Sequence, residues 1–221
     1  RGLGDVYKRQ IVPNAGELSL ACTIGLLRLQ QLAARRDDVR LNVHIVGSFL
    51  EALNTYVDGD VVVVLDGSVG APPELIFGAI ASPHDVVAGV YPLAKVDWDR
   101  VGAVLRNPRT KEPLSHAGNV YNLVPASGPV GRYVAVESVQ ELKALCIRSS
   151  VLRDLAGPDT SHAGGHLFAY DAVFDDTLHN VYQTLARRIG LRNIVADLEA
   201  QCTHAGPAQF AGCVGLRGSV R

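Results

Sequence analysis

Methionine is missing from all 221 residues, so the chain reads as lacking its true start. Cysteine is sparse: Cys22, Cys146, Cys202 and Cys213 lie far apart with no CxxC pair. That excludes a zinc knuckle and a thioredoxin-type redox pair. Reduced structural thiols in a cytoplasmic protein fit this pattern, and no signal peptide is read at the head. Neither sign of charge prevails, with 21 Lys+Arg against 22 Asp+Glu and a net charge of -1. A dedicated nucleic-acid binder would carry a basic excess, so no nucleic-acid partner is expected. Long apolar runs are absent too. The longest, Val61–Leu65, has five residues, far short of the roughly 20 of a membrane span. There is no internal repeat, no G-x-G-x-x-G after the first strand and no G-x-x-x-x-G-K-[ST], which disfavours dinucleotide and P-loop chemistry.

What is present is globular. Hydrophobic residues make up 48% and charged residues 19%. A chain of this length buries a full core without disulfides or metal. The opening residues 1–9 are polar and unpatterned and resemble a translated sequencing adaptor, of the kind that heads metagenomic fragments. They are read as foreign to the fold. Residues 10–215 are then one domain and 216–221 a ragged tail.

Ile11-Val12 reads as a short strand. Leu18, Cys22, Leu26, Leu29 and Leu32 recur every three or four residues, one apolar face of a helix over 17–36. Val39, Leu41, Val43 and Ile45 alternate with polar residues as a half-buried strand does. A short helix is expected over 48–56. The run 60–66 reads as a strand buried on both faces, Pro72-Pro73-Glu74 opens a helix to about residue 81, and 85–91 is another apolar strand. This alternation predicts a mostly parallel, Rossmann-like α/β sheet flanked by helices. Four prolines and several glycines over 106–130 read as loops or edge strands, 133–147 as strand-rich, and 151–156 as a helix. A further helix face runs from Leu178 to Ile189, with Asp175 or Asp176 capping its start and Gly190 beyond its end. A last strand lies over 194–198.

Ligands of open parallel sheets bind beyond the carboxyl ends of the strands, which is where Asp66 stands. By itself Asp66-Gly67 reads equally well as a turn that only closes the strand. The surrounding residues carry a resemblance. Leu65-Asp66-Gly67-Ser68-Val69-Gly70-Ala71-Pro72-Pro73-Glu74, then Asp85-Val86-Val87-Ala88-Gly89-Val90-Tyr91-Pro92, then Lys95-Val96-Asp97-Trp98 are similar to a group of GT-A-fold glycosyltransferases common in phage and bacterial metagenomes, family 2-like. In that group a strand ends in D-x-D, a P-E helix start follows, and "DVV-G-YP" and "K-x-DW" segments come next. Leu145-Cys146-Ile147-Arg148, Asp175-Asp176 and Thr203-His204-Ala205-Gly206 with Phe210 resemble its later elements.

The resemblance implies a GT-A-like fold with mixed strands in the C-terminal half, and transfer of a sugar from a nucleotide-sugar donor to a glycan or other hydroxyl acceptor. It implies Mn²⁺ or Mg²⁺ bridging the donor diphosphate, with Asp66, Ser68 and His204 as metal ligands. It also implies donor contacts from Asp66, Ser68, Lys95 and Asn54, and Asp176 or Asp175 as the base that deprotonates the acceptor. Trp98 would stack on a sugar. Ser68 replaces the second D-x-D carboxylate, so the motif is degenerate and the expected metal site weakened.

Read without the resemblance, Asp175 and Asp176 are ordinary helix caps, His204 a solvated loop residue, and Lys95 and Trp98 surface side chains. An inactive nucleotide-sugar or glycan-binding module on the same fold is one alternative. A serine hydrolase is another, since Asp66-Gly67-Ser68-Val69-Gly70 nearly spells a nucleophile elbow, and Ser68, Asp175 or Asp176, and His204 follow the order of that class. His162 and His166 flank two glycines that argue against a helical metal pair.

Overall fold

The computed structural model describes residues 7–13, 18–46, 60–107, 118–127, 131–156, 189–190, 193–205 and 210–211. The elements expected over 48–56 and 178–188 lie outside them.

The chain runs β1 (Tyr7–Pro13), α1 (Leu20–Ala33), β2 (Arg40–Val46), β3 (Val61–Leu65), β4 (Val69–Gly70), α2 (Pro73–Ala81), β5 (Val86–Val90) and β6 (Pro92–Val96). It continues through α3 (Trp98–Arg106), β7 (Asn119–Tyr121), β8 (Leu123–Pro125), β9 (Tyr133–Val139), β10 (Ala144–Arg148) and α4 (Ser149–Ala156). The last described elements are β11 (Ile194–Gln201), β12 (Thr203–His204) and β13 (Phe210–Ala211).

Helix α1 forms where the periodicity predicts it but is shorter. Ser19 caps it, its hydroxyl accepting the Cys22 N–H at 3.1 Å. Its buried face is Cys22, Leu26, Leu29 and Ala33; Leu32, expected there, faces solvent. Spacings of four, three and four hold that stripe on one side, and Ala33 rather than Leu32 continues it. In α2, Pro73 sits in the first turn, where no amide hydrogen is needed.

Eight strands form the main sheet in the order β2-β1-β3-β10-β5-β11-β9-β8. Pairs β2–β1, β1–β3 and β5–β11 are parallel, while β3–β10, β10–β5, β11–β9 and β9–β8 are antiparallel. The expectation of a mostly parallel, GT-A-like (Rossmann-like) sheet is therefore corrected: the sheet is mixed and largely antiparallel, and strands outnumber helices. The reason lies in β10. It runs Ala-Leu-Cys-Ile-Arg, as apolar as its neighbours, and slots antiparallel between the all-buried β3 and β5. Burial on both faces produces continuous apolar runs whichever way a strand points, so the pattern carries no direction.

Helices α1 and α2 cover one sheet face. Cys22, Leu26, Leu29, Leu75, Ile76 and Ala79 pack with Val61, Val63, Leu65, Val87, Cys146 and Val195. The opposite face, with Val62, Val64, Ala88, Leu145 and Ile147, is equally buried. No helix among the described residues is long and apolar enough to cross a membrane.

Candidate functional site

Because β10 runs against β3 and β5, its beginning meets their ends at one edge of the sheet. Strand β11 runs parallel to β5 and finishes at that edge too. The residues just beyond these ends, Asp66, Tyr91, Lys143 and His204, therefore come together from four distant stretches of chain.

Asp66 is buried, and its amide donates to the Lys143 carbonyl at 2.8 Å. Its Oδ1 accepts the Ser68 amide at 2.8 Å and the Ser68 hydroxyl at 2.5 Å. This is an Asx turn, in which an aspartate satisfies the backbone two residues on. No hydrogen bond from the described residues reaches Oδ2. The Ser19 amide, at the head of α1, donates to the Gly67 carbonyl at 2.9 Å, which sets the helix N-terminus against the turn.

The turn leads into β4, which pairs with β12 so that His204 lies opposite Val69. The Ala205 amide donates to the Ser68 carbonyl at 2.8 Å and closes the ribbon. His204 is buried, its ring centroid 5.4 Å from that of Tyr91. Its Nδ1 is buried with no hydrogen-bond partner among the described residues. Its Nε2 lies 3.4 Å from Lys143 Nζ. Burial first, and the Lys143 charge second, push the imidazole below its ordinary pKa; Glu141, Asp66 and the Pro92 backbone oppose them. The ring is thus held neutral, able to accept the ammonium hydrogen at Nε2.

Lys143 also pairs with Glu141 at 2.8 Å. That segment is positioned by a buried amide. Asn122 is fully buried; its Oδ1 accepts the Tyr91 amide at 3.0 Å and its Nδ2 donates to the Gly89 carbonyl at 3.1 Å. Its own carbonyl accepts the Gln140 and Glu141 amides at 2.8 and 3.0 Å. One residue thus ties the end of β5, through its side chain, to the approach into β10, through its backbone carbonyl.

Of the residues singled out in the sequence, the structure brings together Asp66, Ser68 and His204. It leaves Lys95 and Trp98 apart: both are exposed, and Asp97 caps α3 by accepting the Arg100 amide at 3.0 Å. Asn54, Asp175 and Asp176 lie outside the described residues, as do His162 and His166. The hydrolase reading finds neither of its parts. A two-residue strand rather than a helix follows Ser68, and the serine hydroxyl is bonded to Asp66 rather than to a histidine. Lys143, Glu141 and Asn122 went unread because only the pairing of β3 with β10 and the turn after β7 gives them meaning.

The described residues do not fit a resident divalent cation. No three His, Cys, Asp or Glu side chains among them gather into a group able to hold one. Ser68 brings no charge, the Lys143 ammonium sits against His204 Nε2, and the other ring nitrogen, Nδ1, is buried away from solvent.

A cavity of about 330 Å³ lies beside this region, lined by Leu20, Ile24, Arg28, Gly70, Pro72 and Thr203 among others. Side chains alternate across a strand, so Thr203 and His204 face opposite ways. The cavity therefore belongs to the other side of the β4–β12 ribbon. No protein-family model matches this chain, and no curated protein matches it significantly.

Proposed function

We propose that the chain binds a nucleotide-sugar donor at the Asp66 edge and transfers the sugar to a hydroxyl acceptor. The observation that carries this reading is Asp66 itself. It is a buried carboxylate at the edge where β3, β5 and β11 end, beside a neutral histidine, and no hydrogen bond from the described residues reaches its Oδ2. A carboxylate oxygen in that position accepts hydrogen bonds from a ribose or sugar hydroxyl. The resemblance of 62–98 to glycosyltransferases supports the same chemistry, and Asp176 or Asp175 is proposed as the base toward the acceptor.

Asp66→Asn separates the functional role from the structural one. The amide carbonyl still accepts both Ser68 bonds, but an N–H donor replaces Oδ2. Calorimetric titration with UDP, GDP, CDP and ADP should find one that binds the native chain. The variant should lose at least about tenfold in affinity at unchanged thermal stability. Equal affinity would remove Asp66 from the donor site.

A second reading, a binding module without transfer, is favoured by Ser68 standing where a second carboxylate belongs. Release of nucleoside diphosphate from the matching nucleotide-sugar decides between them. Release with sugar transfer supports the enzyme, and binding without release supports the module.

A further inference from the structure

We infer that Lys143 is the cation of this site, holding the donor diphosphate through its ammonium with no divalent ion required. The inference rests on the donor-site reading above and names what that site uses to hold negative charge.

Three observations lead to it. The only carboxylate of the Asp66-Gly67-Ser68 turn is Asp66, and the Ser68 hydroxyl is committed to its Oδ1. His204 Nε2 faces Lys143 Nζ at 3.4 Å, so a metal bound there at about 2 Å would press against an ammonium. Lys143 is partly exposed, with 20% of its side chain open, where the buried His204 is not. It is the group a solvent-borne anion reaches.

The ammonium has three hydrogens. Among the described residues His204 Nε2 accepts one, and the Glu141 carboxylate pairs with the charge at 2.8 Å, which leaves at least one hydrogen for an incoming acceptor. Glu141 competes with an incoming phosphate for the same charge. Yet its side chain is itself 22% exposed, so water reaches the pair. A single carboxylate brings one charge to the ammonium, whereas a diphosphate brings at least two charges and several acceptor oxygens. Diphosphate therefore displaces Glu141, which turns to water. The α1 N-terminus, with the Ser19 amide bonded to Gly67, adds a favourable dipole against the same turn.

The experiment is calorimetric titration of UDP, GDP, CDP and ADP into the native chain and into Lys143→Met, Lys143→Arg and Glu141→Gln, each in excess EDTA and in Mn²⁺. One nucleotide should bind the native chain equally in both buffers. Lys143→Met should lose at least about tenfold, Lys143→Arg should stay within about threefold, and Glu141→Gln should tighten binding about threefold or more. A merely structural Glu141–Lys143 pair would give no tightening. A requirement for Mn²⁺, or native affinity in Lys143→Met, or weaker binding in Glu141→Gln, overturns the inference and leaves the donor site standing. If Lys143→Met does not fold by circular dichroism, the arginine and glutamine variants decide. If none of the four nucleotides binds the native chain in either buffer, the donor-site reading falls and this inference with it.

Discussion

Asp197 is the most completely satisfied charge in the described core. Its side chain is wholly buried and accepts from Arg132: the single Nε hydrogen is shared between Oδ1 at 3.2 Å and Oδ2 at 3.1 Å, and Nη2 donates to Oδ2 at 2.9 Å. It also accepts the Glu199 and Ala200 amides at 3.0 and 3.2 Å, at the register shift in β11. Arg132 Nη2 reaches on to the Glu74 carbonyl at 3.0 Å and so fastens α2 to the sheet. Removing the cation leaves a buried carboxylate short of half its donors. Arg132→Met should therefore cost about 3 kcal/mol in urea unfolding. A loss below about 1 kcal/mol would mark the pair as solvated. Nothing in the sequence joins two residues 65 positions apart. Asp66 was legible because its neighbours, a buried valine run and a small-residue turn, are local; His204 was singled out only by the resemblance, and the residues alone read it as a solvated loop histidine where the fold buries it in β12. Asp197, Lys143 and Asn122 depend on partners that only the folded sheet supplies.

Among the elements, α1 and β4 touch backbone to backbone. A Cβ at Gly70 would lie 2.6 Å from the Ala21 carbonyl oxygen, and one at Gly25 would lie 2.7 Å from that of Ala71. Neither neighbour is a flexible side chain, so the helix itself has to move. Gly70→Ala should destabilise the protein by about 1–3 kcal/mol in urea unfolding. It should also weaken nucleotide binding, because β4 pairs with the strand that carries His204. Native stability would show that α1 shifts without cost. The elements with strong periodicity or valine runs, α1, β2, β3, α2 and β5, could be read locally to within a few residues. Helix α3 could not. Trp98, Val101 and Leu105 recur at helical spacing, but over nine residues only and with none of them buried, so no core contact backs the pattern and the helix leans on its Asp97 cap. The direction of β10 could not be read either, since an all-buried strand looks the same both ways.

At the level of the whole molecule, the core is sensitive to alkali through its thiols. Burial, then the Asp66 charge, push Cys22 from 9.0 up to about 11; burial, then Asp197, push Cys146 up to about 12. Both keep their protons longer in the fold than in the unfolded chain. Well below pH 9.0 both forms keep their protons and the thiols do not affect stability. Above it the unfolded chain ionises first, so stability falls as pH climbs toward about 12. Urea midpoints at pH 8 and pH 10.5 should show that fall, and Cys146→Ala should lose less over the same interval. Equal losses would show that other groups drive it.

The arrangement of β11 has a consequence for biogenesis. This strand fills the gap between β5 and β9, and directly after it the chain delivers His204 to the Asp66 turn. Until residues near 194–204 have left the ribosome, β5 stands as an open edge inside the nascent sheet and Lys143 has no imidazole to face. Such an edge invites pairing with other chains. Synthesis that stalls before that point leaves β5 unprotected and Lys143 without His204, so the cover over that strand and the contact beside Asp66 arrive together.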